Sequence, residues 1–260
     1  MRNIVIIGCA SLGLLLASFQ PLSLHQYRVK KVVIDAGHGG KDPGTLGRIS
    51  QEKDIALNIA LKLGQIIKEN LDDVEVIYTR DGNNFVELDD RARIANKNSA
   101  DVFISIHCNS SPNISVYGSE SYVMGLHTSD KNWDVVKREN AVILMEDDHE
   151  KKYDGFDPNS PESEILFSLF QNAYLDNSLR LAAKVEEQFK ERVGRYSRGV
   201  KQAGFLVLWK TNMPSILIEV GYLSNPKEEK DLNDDLQRTY IASGIWRAFR
   251  DYKSEIESMN

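Results

Sequence analysis

The sequence predicts an α/β fold, a single domain with a mixed, mostly parallel sheet flanked by helices on both faces. Strand candidates are almost continuously apolar, as in "VVIDA" (32–36), "DVFISIH" (101–107) and "SILIEV" (215–220). Segments with helical periodicity lie between them, and this alternation is typical of sheets buried on both faces. The 260 residues are 42% hydrophobic, which is enough for one sizeable core.

The elements follow in order from the first strand, "KVVIDA". The next segment, "EKDIALNIALKLGQIIKEN", places Ile55, Ile59 and Leu63 at helical spacing, with Ser50 as a candidate N-cap. Later strand candidates are "VEVIYT", "DVFISIH", "GSESYVMG", "FLVL" and "SILIEV", and later helix candidates are "LDDRARIANKNSA" and "DLQRTYIASGIWRAFRDYKSEI".

The N-terminus is predicted to direct export to the periplasm or cell envelope. Arg2 precedes an apolar run from Ile4 to Phe19, which is short for a membrane span and typical of a signal peptide. A retained anchor and a buried terminal helix are the alternatives. The predicted layout is a signal peptide or anchor (1–20), a linker (21–30), a catalytic domain (31–253) and a tail (254–260).

The charge of the chain bears on nucleic-acid binding, and its cysteine content bears on disulfide formation. The formal net charge is -6 and no basic stripe with interleaved aromatics is present, so nucleic-acid binding is not expected. Cys9 and Cys108 are the only cysteines, and loss of the leader would leave Cys108 without an intrachain partner. We expect a monomer that needs no disulfide.

One region, at about residues 126–165, interrupts the α/β pattern. It contains the acidic, turn-rich run "MEDDHEKKYDGFDPNSPESE" and is too long for a simple connection. Two interpretations stay open. The region is either a solvated surface excursion or a lid or regulatory insert over a site.

Histidines and glutamates follow or end several of the predicted elements. His38 follows the first strand in "GHGG", His107 ends "DVFISIH", Glu219 lies near the end of "SILIEV", and Glu52 begins the first helix. Parallel strands bring their carboxyl ends to one edge, where ligands bind in open α/β sheets.

Two histidines and one glutamate with an open fourth position form a catalytic zinc ligand set. The other glutamate would then be a candidate general base for an attacking water. Each residue also has a structural interpretation: the histidines as hydrogen-bonded strand ends, and Glu52 as a favourable charge at a helix N-terminus. Glu219 is harder to explain structurally, because an isolated carboxylate in an apolar strand is costly to bury.

Seven segments of the chain, in order, carry a resemblance to a known family: "VVIDAGHGGKDPG", "QEKDIAL", "YTRDGNNFVELDDRARIAN", "ADVFISIHCNSS", "GSESYVM", "QAGFLVL" and "MPSILIEVGYLSNPKEEKDL". They span about residues 31–232 and resemble the zinc-dependent N-acetylmuramoyl-L-alanine amidases of bacterial cell-wall turnover. The resemblance implies one zinc ion per chain on His38, Glu52 and His107, with Glu219 as the catalytic glutamate. It also implies hydrolysis of the amide between N-acetylmuramic acid and L-alanine in peptidoglycan, for wall turnover or daughter-cell separation.

The resemblance also bears on the insert. Some members of the family carry a helix there that blocks the site until an activator protein displaces it. The stretch "WDVVKRENAVILMEDD" occupies the equivalent position, so Glu139 or Glu146 is a candidate autoinhibitory residue. Asn109, two residues after His107, is a candidate for orienting substrate. The alternative is a structural role at the end of the strand.

The sequence leaves two rival functions open. One is a zinc peptidase or deacetylase with another envelope substrate, which the "GHGG" and "IEVGYLSN" contexts disfavour. The other is a non-catalytic wall-binding scaffold on an inactivated hydrolase fold. The presence of all four site residues disfavours the scaffold, and metal analysis would separate it from an enzyme.

Overall fold

The fold is described by a computed structural model over residues 28–125, 130–158, 160 and 173–259. The predicted leader with Cys9 and parts of the insert lie outside these residues. Among the helices described, none combines the length and apolar character needed to cross a membrane.

Six strands of the described residues form one sheet, in the order β2-β1-β3-β6-β4-β5. Every neighbouring pair is parallel except β4 with β6, so β4 and β5 run against the other four strands. The strands are β1 (Lys31–Ala36), β2 (Glu75–Tyr78), β3 (Val102–Asn109), β4 (Ser119–Met124), β5 (Ser197–Ala203) and β6 (Ser215–Tyr222).

Eight α-helices are present in the described ranges. A 3₁₀ turn (Ala141–Met145) continues the third, and a π turn (Phe189–Val193) continues the fifth. The helices are α1 (Glu52–Asn70), α2 (Leu88–Lys97), α3 (Asp130–Asn140), α4 (His149–Lys152), α5 (Leu175–Gln188), α6 (Leu206–Trp209), α7 (Pro226–Asn233) and α8 (Asp235–Ser258).

Helices cover both faces of the sheet, as predicted. Because side chains alternate along a strand, Val32 and Ile34 pack with α1, α5 and α8. Val33 packs on the opposite face with α2, α3 and α6. That second face also carries the polar residues of β3 and β6. Because α3 packs on the same face, the insert helix lies over these polar residues.

The structure corrects three details of the sequence prediction. The segment "FLVL", grouped with the strands, is the start of the short helix α6, while the edge strand β5 has the half-exposed, polar sequence "SRGVKQA". Gln51, not Ser50, is the N-cap of α1, and Ser50 Oγ instead donates to Glu229. The last helix runs to Ser258, so most of the predicted tail is helical.

Candidate metal centre

The loop after β1 has a conformation that its glycines make accessible. A Cβ on Gly37 would lie 2.4 Å from Cε1 of His107, and a Cβ on Gly44 would lie 2.6 Å from Cδ2 of His38. His38 itself has φ 61°, a left-handed conformation that non-glycine residues adopt rarely and often at functional sites. The glycines therefore allow two imidazole rings to meet against the backbone.

One nitrogen of His38 is fixed and the other faces a cluster of carboxylates. Nδ1 lies 2.7 Å from Asp42 Oδ2. Nε2 lies 3.1 Å from Glu52 Oε1 and 3.2 Å from Glu139 Oε2. Because Asp42 engages Nδ1, Nε2 is the nitrogen available for a metal.

His107 and Glu52 complete the predicted triad. Nδ1 of His107, on β3, lies 3.1 Å from Glu52 Oε1 and 3.1 Å from Glu139 Oε2. Glu52, the first residue of α1, accepts hydrogen bonds from the backbone N–H of Cys108 at 2.8 Å and of Thr45 at 2.7 Å. These bonds fix the carboxylate at the sheet edge.

The ligand-type atoms of His38, Glu52, His107 and Glu139 all lie within 4.8 Å of one another, and all four residues are buried. His38 Nε2 and Glu139 Oε2 are buried without a hydrogen-bond partner among the described residues. Buried polar atoms are normally paired, so unpaired atoms that converge on one point fit the coordination of a cation.

The electrostatics of the cluster favour positive charge at its centre. Burial opposes ionisation of His107, yet the Glu139 and Glu52 carboxylates raise its pKa to about 9. Burial likewise opposes ionisation of Glu52, but the His38 ring holds the pKa of that carboxyl below its usual range. The carboxylates of Glu52 and Glu139 thus favour positive charge at this point. Protonated histidines supply that charge, and a divalent metal would supply it as well.

Glu219 lies beside this cluster rather than in it. It sits within β6, opposite His107 in the β3–β6 register, and is fully buried. Neither carboxylate oxygen has a hydrogen-bond partner among the described residues, although Arg138 Nη2 lies 3.7 Å from Oε1. Burial and the nearby Glu139 carboxylate raise the pKa of Glu219 well above its usual range.

Two buried arginines, which the sequence interpretation missed, hold the histidine loop. Arg91 donates to Asp35 Oδ1 at 2.8 Å and to the backbone carbonyl of His38 at 2.8 Å. Arg80 donates to the carbonyl of Gly37 at 2.7 Å. Although burial opposes it, Arg91 lowers the pKa of Asp35. In the sequence, Arg91 lies in an amphipathic helical segment and Arg80 follows a predicted strand. Neither position by itself indicates a contact with the histidine loop.

The two candidate autoinhibitory residues of the insert, Glu139 and Glu146, lie in different places. Glu139, on α3, contributes to the cluster, and the preceding Arg138 donates from Nη2 to Asn109 Oδ1 at 3.2 Å. Glu146 is elsewhere and accepts from the backbone N–H of Leu88 at 2.8 Å and from the hydroxyl of Tyr153 at 2.8 Å. Asn109 is fully buried under α3.

Comparisons with known proteins show which family the chain belongs to. The family model described as N-acetylmuramoyl-L-alanine amidase matches residues 32–251. AmiA of Escherichia coli, named as such an amidase, is 33% identical over 218 residues, which are 82% of this chain and 73% of AmiA. The catalytic domain of CwlV from Paenibacillus polymyxa superposes with a TM-score of 0.63 at 32% identity, covering 86% of this chain and 97% of CwlV. CwlD of Clostridioides difficile, solved in complex with the GerS lipoprotein, has a TM-score of 0.63 at 27% identity and covers 87% of this chain and 99% of CwlD.

Proposed function

Because this chain belongs to the N-acetylmuramoyl-L-alanine amidase family, we propose that His38, Glu52 and His107 bind one zinc ion and that Glu219 transfers protons beside it. The enzyme hydrolyses the amide bond between N-acetylmuramic acid and L-alanine in peptidoglycan. The observation that carries the site assignment is the convergence of four buried ligand-type groups within 4.8 Å.

The donor set supports zinc in particular. Two imidazole nitrogens and a carboxylate oxygen are the ligands of catalytic zinc sites, which keep a further position open. Held by His38, Glu52 and His107, zinc would supply Lewis acidity and would make water a nucleophile at neutral pH.

Glu219 carries the proton transfers in this proposal. Its carboxylate is buried, has no hydrogen-bond partner among the described residues, and lies one strand from His107, and its raised pKa favours taking up a proton. Glu219 accepts a proton from water as the water oxygen bonds to the amide carbon. It returns that proton to the nitrogen of L-alanine as the C–N bond breaks. The products are a free muramic acid carboxyl group and a peptide with a free amino terminus.

The insert helix α3 restrains this activity. Glu139 Oε2 takes a place among the metal-binding atoms, and Arg138 lies against Glu219. The cavity that His38, His107 and Glu139 line has a volume of about 10 Å³, which is close to the space of one water molecule. A muramyl peptide therefore needs α3 to move. Glu139, rather than Glu146, is the blocking carboxylate in this proposal.

A partner protein that displaces α3 is consistent with the arrangement, and a structural neighbour was solved in complex with a lipoprotein. Asn109 orients substrate once Arg138 has left its side-chain oxygen. The substrate is a polymer of the bacterial wall, so export of the chain as a monomer to the periplasm or envelope completes the proposal.

The decisive experiment is digestion of purified sacculi with the zinc-loaded full chain. We expect glycan strands without peptides, together with peptides that begin with free L-alanine. New reducing sugar ends, or cuts within the peptides only, would contradict the proposal. A folded protein that takes up no zinc would instead favour a scaffold.

A further inference from the structure

A cleft of about 400 Å³ adjoins the site on the side of β4 and β5. Its floor and walls include polar side chains from the sheet, while α3 contributes Asp134 and Val135 to one wall. The sheet residues that matter here are Asn109, Glu120, Arg198, Lys201 and Tyr222.

The register of the sheet fixes how close this cleft is to the catalytic glutamate. Glu219 is paired with His107 on one side and with Glu120 on the other. Neighbouring strands are about 4.8 Å apart, and paired residues point to the same face. The cleft therefore begins one strand beyond Glu219, and β5 lies about 10 Å from β6.

Glu120 and Lys201 neutralise each other. Glu120 is 1% exposed, accepts hydrogen bonds from Asn109 and Tyr222, and forms an ion pair with Lys201. A buried carboxylate with this many partners has a structural role in the cleft. Because Glu120 is paired with Lys201, it does not compensate the charge of the other cation of the cleft.

That cation is Arg198, and its guanidinium is oriented but forms no ion pair within the described residues. Its Nε donates to the backbone carbonyl of Tyr117 at 2.7 Å. The guanidinium carbon lies 5.6 Å from the ring centre of Tyr196 and 5.3 Å from that of Tyr222. No carboxylate among the described residues forms an ion pair with it. Stacking and one backbone bond thus present a planar cation to the cleft.

We infer that Arg198 is a specificity-determining residue that binds the free carboxylate of the residue after L-alanine in the stem peptide. The inference rests on the proposed function, which places the scissile amide at the metal. Two extended residues span about 7 Å, so a peptide leaving the metal toward β5 brings its second residue within reach of a long side chain on β5. Arginine matches a carboxylate with two parallel hydrogen bonds.

The position of α3 supports the same path. Glu139 lies at the metal cluster, Arg138 contacts Asn109, and Asp134 lines the cleft with Arg198. The helix therefore covers the route from the metal to the cleft, and Asp134 and Val135 are the residues it contributes to the cleft wall.

The test compares two substrates that differ at one group. These are N-acetylmuramoyl-L-alanyl-γ-D-glutamyl-L-lysine, in which the α-carboxylate of the glutamate is free, and the same compound with that carboxylate converted to an amide. In both compounds the γ-carboxyl group of the glutamate is occupied by the peptide bond to lysine. We measure kcat/KM for both with the zinc-loaded full chain, in the wild-type and Glu139→Ala backgrounds. We expect a preference for the acid of about tenfold or more, the scale of a charge-assisted hydrogen bond. Arg198→Gln should bring the ratio close to one by raising KM for the acid.

Two further variants and one binding measurement complete the design. Arg198→Lys should keep part of the preference, because it retains the charge but loses the two-pronged geometry. Arg93→Gln, on the exposed surface of α2, should keep all of it. Calorimetry with the product L-alanyl-γ-D-glutamyl-L-lysine should show weaker binding to folded Arg198→Gln than to wild type.

The outcomes separate this inference from the proposed function. Equal cleavage of both substrates by wild type, or an unchanged preference in Arg198→Gln, would overturn the role of Arg198 and leave the amidase activity intact. If neither substrate is cleaved, the proposed site function fails, and calorimetry with the acidic product peptide then decides the role of Arg198 alone.

Discussion

Asp42 Oδ2 lies 2.7 Å from Nδ1 of His38, and both side chains are buried. A carboxylate that engages one ring nitrogen fixes the tautomer and the orientation of the other, metal-facing nitrogen. We predict that Asp42→Ala lowers zinc affinity by about 10- to 100-fold, measured by competition with a chelator. Asp54→Ala, a change on the partly exposed first turn of α1, is the control. Unchanged affinity in Asp42→Ala would show that packing alone orients His38.

Glu52 and Glu219 should respond differently to substitution. Glu52→Ala removes a predicted zinc ligand, so we expect loss of stoichiometric zinc and of activity. Glu219→Gln keeps the shape of the side chain, so zinc content and the melting temperature should persist while hydrolysis falls about a hundredfold or more. Metal analysis, thermal melting and release of peptides with an L-alanine terminus are measured on the same preparations. Zinc loss in Glu219→Gln with retention in Glu52→Ala would reverse the two roles.

Removal of the blocking carboxylate should release the enzyme. Glu139→Ala deletes contacts with both histidines of the cluster, and contacts of charged groups contribute about 1.5–3 kcal/mol each. We expect a rise of about tenfold or more in the basal rate on soluble muramyl peptides. The exposed insert residue Glu150, changed to alanine, provides the control. If zinc-loaded Glu139→Ala is no faster than wild type, α3 is not a brake.

The hydrogen bonds of Arg91 should support metal binding from a distance. Arg91→Lys keeps the charge but cannot bond Asp35 and the His38 carbonyl together. We expect about tenfold weaker zinc binding with a folded chain by circular dichroism. Arg93→Lys, two residues away and exposed, should bind zinc normally. Normal zinc affinity in folded Arg91→Lys would refute the positioning role.

Glu186 provides a test of stability against pH. It lies buried beneath the sheet with Ser119, Ser121 and Ser197 donating to its carboxylate. Burial raises the pKa of Glu186, although the hydrogen bonds from those hydroxyls lower it. A raised pKa contributes stability below the unfolded-state pKa of about 4.5, and this contribution is lost as the pH rises through the folded-state value.

Glu186→Gln should therefore increase the free energy of unfolding relative to wild type at pH 8, and the difference should shrink toward pH 4. Urea denaturation at both pH values measures it, with the exposed neighbour Glu187→Gln as control. A difference that grows on acidification would show that the serine hydroxyls outweigh burial.

The sequence located most of the cluster for a physical reason. His38, His107 and Glu52 occupy ends of elements, and parallel strands bring such ends together whatever the details of packing. The choice between Glu139 and Glu146 could not be made from sequence. It depends on how α3 lies on the sheet, which no local pattern encodes.

Other features were missed because their signals were ordinary. Asp42 and Arg91 are common residue types in a turn and in an amphipathic helix, and only the fold shows that they bond to the histidine loop. Strand β5 was missed because an edge strand that is half exposed has no apolar run. Helix α6 was missed because an apolar run of four residues is also compatible with a buried helical turn.

The order of strands has a consequence for biogenesis. β6 comes last along the chain, yet it lies between β3 and β4 in the sheet. Until it is synthesised and placed, two long inner edges are unpaired, and long-range pairing of this kind is slow. The same strand delivers Glu219 to its place beside His107. A chain in which β6 is not yet synthesised therefore lacks the glutamate proposed to transfer protons, and we expect hydrolysis to begin only after this last strand has been inserted into the sheet.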